Sequence, residues 1–180
     1  SVEITTQNET WPQDLLRVPG ALGEYCDWVN ESKSYNKQEL FSVMSALCLG
    51  GVAMGRKYQT ETGLRTNQYF ICVGRTGCGK DASVQAIAEV LISAGMREFI
   101  SGEPASAQGL VARVAKQPNS LLMNAEIGIW LGRMTSKNSA SHEAGILGTM
   151  MDLHSKANQV YFGKEYANQG GSNGREVVDR

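Results

Sequence analysis

The sequence predicts an α/β fold with a mostly parallel central sheet behind an N-terminal helical segment, and three observations carry the prediction. The run "QYFICV", residues 68–73, is β-branched and aromatic with no charge, as a strand buried on both faces should be. A glycine-rich loop, "GRTGCGK", follows at once and leads into an amphipathic helix. Further on, a helix ending near Lys116 is followed by a second short apolar run, "SLLMN". Strand–loop–helix and then helix–strand is the alternation that brings strands parallel.

The elements read in order as follows. Residues 1–20 are polar and end in Pro-Gly, so they form an entry arm. Leu22, Tyr25, Cys26 and Val29 recur at helical spacing between Ala21 and Asn30. After the polar break "ESKSYNK", the stretch "QELFSVMSALCLGGVAMG" gives a long, largely apolar core helix whose Gly and Ala positions permit close packing. The turn-rich "GRKYQTETGLRTN" leads to the expected strand at 68–73. A helix then runs from about Lys80 to Ala94, with Val84, Ile87, Val90 and Leu91 on one face and Gly95 as its stop. Ser106 is the N-cap of a helix through Lys116, broken by Pro118-Asn119. A late helix from about Ser141 to Ala157 buries Ile146, Leu147, Met150, Met151 and Leu153, and "QVYF" is a strand or hairpin arm. Residues 1–66 thus form an arm and helical segment packed on a core spanning 67–180.

Composition bounds the function. The chain has 180 residues, 42% hydrophobic and 19% charged, the profile of a globular domain. Its formal net charge of −1 gives no bulk attraction to nucleic acid or membrane, so a nucleic-acid role needs a local basic patch. Cys26, Cys48, Cys72 and Cys78 show no C-x-x-C pair and no matching His cluster, which argues against a zinc site. Three of them lie in apolar runs, as thiols of a reducing compartment do. No leader-like segment and no apolar run of roughly 18 residues is present, which points to the cytoplasm.

The chemistry concentrates in "VGRTGCGKD", Val73 to Asp81. Gly74, Gly77 and Gly79 let the backbone turn and aim successive N–H groups at phosphate oxygens, with Thr76, Cys78 and Ala82 completing the cradle. Lys80 supplies the point charge for the β- and γ-phosphates of ATP. The usual pattern ends in a hydroxyl that ligates Mg²⁺; here Asp81 stands in its place. A carboxylate is a good hard-oxygen ligand for that ion, although an acid also suits a helix start. A second nucleotide-handling strand should end in Asp-Glu, and "LLMNAEIG", Leu121 to Gly128, is the candidate. Glu126 falls where the general base that orients the attacking water belongs, and Ala125 where the metal-organising Asp belongs. Natural replacement and an introduced inactivating change both account for Ala125. If Glu126 is only a strand-end acid, the site binds nucleotide without turnover. His142 and His154 have no carboxylate or Cys partner in the sequence and read as ordinary histidines.

These residues support a resemblance. The runs "VPGALGEYCDWVNES", "ALCLGGVAMGRKYQTETGLRTNQYFICVGRTGCGKD", "SAQGLVARVAKQPNSLLMNAEIGIWL" and "MMDLHSKANQVYFGKEYANQ" resemble the helicase-like P-loop ATPase domain of phage and mobile-element replication proteins, in which the motor often accompanies a primase. The resemblance implies a RecA/AAA-like P-loop NTPase core, Walker A binding of ATP at Gly77, Gly79 and Lys80, Mg²⁺ through Asp81, and water activation by Glu126. It also implies ATP hydrolysis coupled to unwinding of or translocation on DNA, a homo-oligomeric ring, and a further strand beyond Arg180 carrying a γ-phosphate sensor. In such a ring one subunit donates a cation to its neighbour's nucleotide, and Arg133 and Lys164 are the candidates. A small P-loop kinase and a nucleotide-gated switch are the competing readings.

Overall fold

Apolar spacing organises the first half of the molecule much as expected. The computed structural model describes residues 12, 14–136 and 141–163, with backbone alone at 141–144. Helix α1, Ala21–Trp28, continues into one π-helical turn, Val29–Lys33. Helix α2, Glu39–Met54, packs beside it, and Tyr25, Cys26, Val29, Val43 and Ala46 share one core cluster. Asn30 fixes the junction: its Nδ2 donates to Ser42 Oγ (2.9 Å) while its Oδ1 accepts from the Gln38 N–H (3.1 Å). A half-buried amide satisfied at both ends holds the turn between two helices.

Helix α3, Lys80–Ser93, closes this layer, contributing Ala86 to the first cluster and Ile87 and Leu91 to a second. Its exit is a Schellman motif. The Met96 N–H donates to Leu91 O (2.8 Å) and the Gly95 N–H to Ile92 O (3.0 Å), with Gly95 at φ 73°. Met96 and Leu91 meet in the same apolar cluster, as that motif favours. A Lys33–Glu89 ion pair (2.7 Å) on the rim joins the π turn to α3.

The second half is built on two strands and three helices. Strand β1, Ile100–Ser101, and strand β2, Leu121–Leu122, are parallel, with Ile100 opposite Leu121 and Ser101 opposite Leu122. Helix α4, Ala107–Lys116, links them and is capped by Ser106, whose Oγ accepts from the Gly109 N–H (3.1 Å). The Arg113 guanidinium on α4 donates to the carbonyls of Glu98 and Ile100, tying the helix to β1. Helix α5, Ile127–Thr135, and helix α6, Ser141–Ser155, bury Trp130, Met134 and Ile146 against Leu110.

The expected fold class is not what the structure contains. Among the described residues there are six α-helices and a single sheet of two short strands, so the chain is not a P-loop NTPase core of RecA/AAA type with a central parallel sheet. The decisive difference is at 68–73. This run is not in a ladder; Tyr69, Ile71 and Val73 are exposed at 56%, 53% and 82%. The physical reason is that a strand is defined by its neighbours. Phe70 and Cys72 are partly covered while their outward neighbours meet no second sheet face. Two further elements departed from expectation. Helix α5 stands where a strand end and loop were expected, and "QVYF" contributes only one bridge residue, Tyr161. No described helix is long and apolar enough to cross a membrane. The polar tail and most of the entry arm lie outside the described residues.

Candidate nucleotide-binding site

The glycine-rich loop folds back on itself before α3 begins. Thr76 and Gly77 turn the chain, and the Cys78 N–H donates to Arg75 O (3.1 Å). Gly77 at φ 75° and Gly79 at φ 97° take left-handed conformations that other residues resist. Gly79, the N-cap of α3, also has no room for a side chain. A Cβ there would lie 2.7 Å from Ser34 Oγ and 2.9 Å from Asn36 O. At Gly74 a Cβ would meet Cys78 Sγ at 2.5 Å. Gly79 is therefore required by contact as well as by torsion, and Gly74 by the approach of the Cys78 side chain alone.

The segment between the π turn and α2 supports the loop from outside. Asn36 Nδ2 donates to Gly77 O (3.1 Å), and Ser34 Oγ donates to the Asn36 carbonyl. Tyr35, between them, is fully exposed. Sequence reasoning had treated "ESKSYNK" as a plain polar break; its contact with the loop joins residues 41 positions apart and had no local signal.

At the start of α3 the N–H groups of Gly79, Lys80 and Asp81 make no backbone hydrogen bond, and no side chain caps the helix. Such orphan donors, at the positive end of a 14-residue helix, are a ready anion site. Lys80 Nζ lies 3.9 Å from Asp81 Oδ1, with the Asp81 side chain 74% exposed, so the pair is loose and both groups are accessible. Ala82 begins the helix proper, its N–H bonded to Gly79 O (3.2 Å). Expected cradle residues Gly74, Thr76, Gly77, Cys78, Gly79, Lys80, Asp81 and Ala82 are thus contiguous at one helix end. Among the described residues no group of three or more His, Cys, Asp or Glu could by itself hold a metal. Asp81 fits Mg²⁺ as one ligand among oxygens supplied by a nucleotide and water.

Glu126 is placed differently from its expected role. It is the N-cap of α5, its N–H held by Asn124 Oδ1 (2.8 Å), and it is exposed, as is Ala125. Asn124 in turn donates to Glu103 Oε2 (3.0 Å), and the Arg133 guanidinium donates to Glu103 Oε1. This polar array on the rim of β1 and β2 has no hydrogen bond to the loop, so Glu126 and Lys80 are not joined by the contacts that fix either one. Arg133, a candidate trans-acting cation, is instead the ion-pair partner of Glu103 within the chain. Lys164 and the side chain of His142 lie outside the described residues.

Cys48, Cys72 and Cys78 lie near one another, Cys78 within the loop itself. Burial pushes the Cys48 thiol up to about 11, with Cys72 adding to it, and burial also raises Cys72, with Cys78 beside it. These cysteines are all free. Held as neutral thiols, Cys48 and Cys72 are packing groups and poor nucleophiles. No protein-family model matches the chain, and neither a curated protein nor a solved structure matches it.

Proposed function

We propose that this chain binds ATP with Mg²⁺ through the loop Gly74–Ala82, as the nucleotide-binding part of a DNA-replication ATPase. The observation that carries the reading is the run of free N–H donors at the start of α3, reached through two left-handed glycines and accompanied by Lys80. Lys80 would neutralise the β- and γ-phosphates and Asp81 would ligate the metal. The link to DNA unwinding or translocation rests on the resemblance in sequence, and so does assembly into a ring. Binding without turnover is the second reading. It is favoured by the position of Glu126, whose fixed contacts are with Asn124, and by Ala125 beside it.

The test is titration of the full chain with a fluorescent ATP analogue, with and without Mg²⁺. Lys80→Ala should abolish binding, since the amides alone do not offset the triphosphate charge. Asp81→Ala should weaken binding in Mg²⁺ by about tenfold or more and leave metal-free binding nearly unchanged. Micromolar affinity retained in Lys80→Ala would show that the nucleotide site is elsewhere. An equal loss in Asp81→Ala with and without metal would make Asp81 a helix-start acid only. Hydrolysis stimulated by single-stranded DNA would support the motor, and binding with no hydrolysis the switch.

A further inference from the structure

A cavity of about 220 Å³ opens between the end of α2, the segment at 65–69, α4 and α6, and none of the loop residues 74–82 lines it. We infer that this cavity is a second ligand site, for one planar base joined to one phosphate. Free nucleoside monophosphate carries that chemistry, and so does a single residue within a strand of nucleic acid.

The charge of the lining comes first. Arg56, Arg65 and Lys156 line the cavity, and no Asp or Glu does. Arg65 is held in place by its Nη1, which donates to the Arg56 carbonyl (2.6 Å). Its Nε is buried and has no hydrogen-bond partner among the described residues. That atom has almost no accessible surface, so Arg65 acts on the cavity through its charge rather than through this donor. Lys156 makes no ion pair among the described residues; its ammonium sits 5.6 Å from the centre of the Tyr161 ring. Cationic side chains on a lining without a carboxylate suit a phosphate.

The ring surfaces come second. Tyr69 and His154 line the same cavity, their rings 5.4 Å apart and tilted by 35°. Both are anchored through α6 backbone: Tyr69 Oη donates to Met150 O (2.9 Å), and Asn67 Nδ2 donates to His154 O (3.1 Å). Tyr69 is still 56% exposed, so part of its surface is available for stacking. Leu110 and Leu153 supply apolar wall behind them. Size sets the limit. At about 220 Å³ the cavity is smaller than drug-sized ligand pockets, which run from about 300 Å³ upward, and this favours one base and phosphate over a nucleoside triphosphate.

Calorimetric titration of the full chain with adenosine monophosphate, inorganic phosphate and a single-stranded oligonucleotide of about ten residues tests the inference. Adenosine monophosphate should bind, and Lys156→Ala, an exposed position, should weaken it roughly tenfold. Tyr69→Ala should weaken it by a similar factor, and Lys80→Ala should leave it unchanged. If only the oligonucleotide binds, with the same sensitivity to Lys156 and Tyr69, the unit is read within a strand and the site stands. The inference is overturned if Lys80→Ala removes the binding, because the ligand is then in the loop. It is equally overturned if inorganic phosphate binds as tightly as the monophosphate, or if none of the three binds at about 1 mM. Loss of ATP binding at the loop would leave this result untouched, so the two sites fail separately.

Discussion

Gly79 is the residue on which the candidate site turns. It combines a φ of 97° with a neighbour shell that reaches within 3 Å of where a Cβ would be. Strain at such a backbone costs about 1–3 kcal/mol before any clash is counted. Gly79→Ala should therefore lower stability by at least that amount in urea denaturation, and should loosen Ser34 and Asn36 from the loop. If the variant unfolds at the wild-type urea midpoint, the close approach of the 34–36 segment is not a native contact. Lys80 and Asp81 differ from Gly79 in kind. Both are accessible and weakly paired, so their substitution should alter ligand binding with little change in stability. The loop motif was fully legible in the sequence, because it is local: glycine torsion, a helix start and a lysine all fall within seven residues. The role assigned to Glu126 was not legible, because it required knowing which strand lies beside which. The chain makes Glu126 a helix N-cap whose N–H is held by the Asn124 side chain.

At the scale of elements, most helices were readable and strands only in part: "SLLMN" holds β2, while α5 was not expected. The limits of α3 and α4 followed from punctuation: Gly95 past the end of α3 and Ser106 before the start of α4 do there what their side chains dictate. Ser106→Ala removes the acceptor for the Gly109 N–H and should cost about 1 kcal/mol, read as a lower urea midpoint with an unchanged slope. Ser106→Asp should restore it, since a carboxylate oxygen accepts the same bond. A helix satisfies its own backbone, so apolar spacing and caps suffice to define it. The run at 68–73 has the composition of a buried strand, but composition does not supply the adjacent backbone. Its partly covered Phe70 and Cys72 and exposed Ile71 and Val73 follow the two-residue alternation of an extended chain resting on one face. Strand β1 was missed for the opposite reason: two residues are too few to make a pattern.

The whole molecule is held by apolar clusters that link sequence-distant helices, with α2 at the centre of the first half and α4, α5 and α6 making the second. Several buried groups on this frame titrate only in alkali. Burial pushes the Cys48 thiol from its ordinary 9.0 to about 11 and the Tyr25 phenol from 10.0 to about 12. In both cases the folded chain holds its proton where the unfolded chain has released it. The unfolded state then binds fewer protons, so stability falls as pH rises. The stabilisation is intact below about pH 9 and is lost through about pH 11 for Cys48, with Tyr25 following between 10 and about 12. Urea midpoints should thus be flat from pH 7 to 8.5 and decline steadily above 9. A midpoint constant to pH 11 would mean that these side chains are solvated. Substituting Cys48 by Ala should flatten the first part of the decline.

By itself the sequence determined the local structure of this protein: the glycine-rich loop, the helix that follows it, the Ser106 and Gly95 boundaries, and the apolar faces that became the core. Each depends on interactions within a few residues, which composition and spacing record. Only the tertiary structure decided the architecture, replacing a central parallel sheet by a helical assembly with, among the described residues, one two-stranded sheet. It also decided that Asn36 supports the loop, that Glu126 caps a helix, and that Arg65, Tyr69 and Lys156 share a cavity. Those outcomes join residues tens of positions apart, and which distant surfaces meet depends on how the whole chain buries its apolar area.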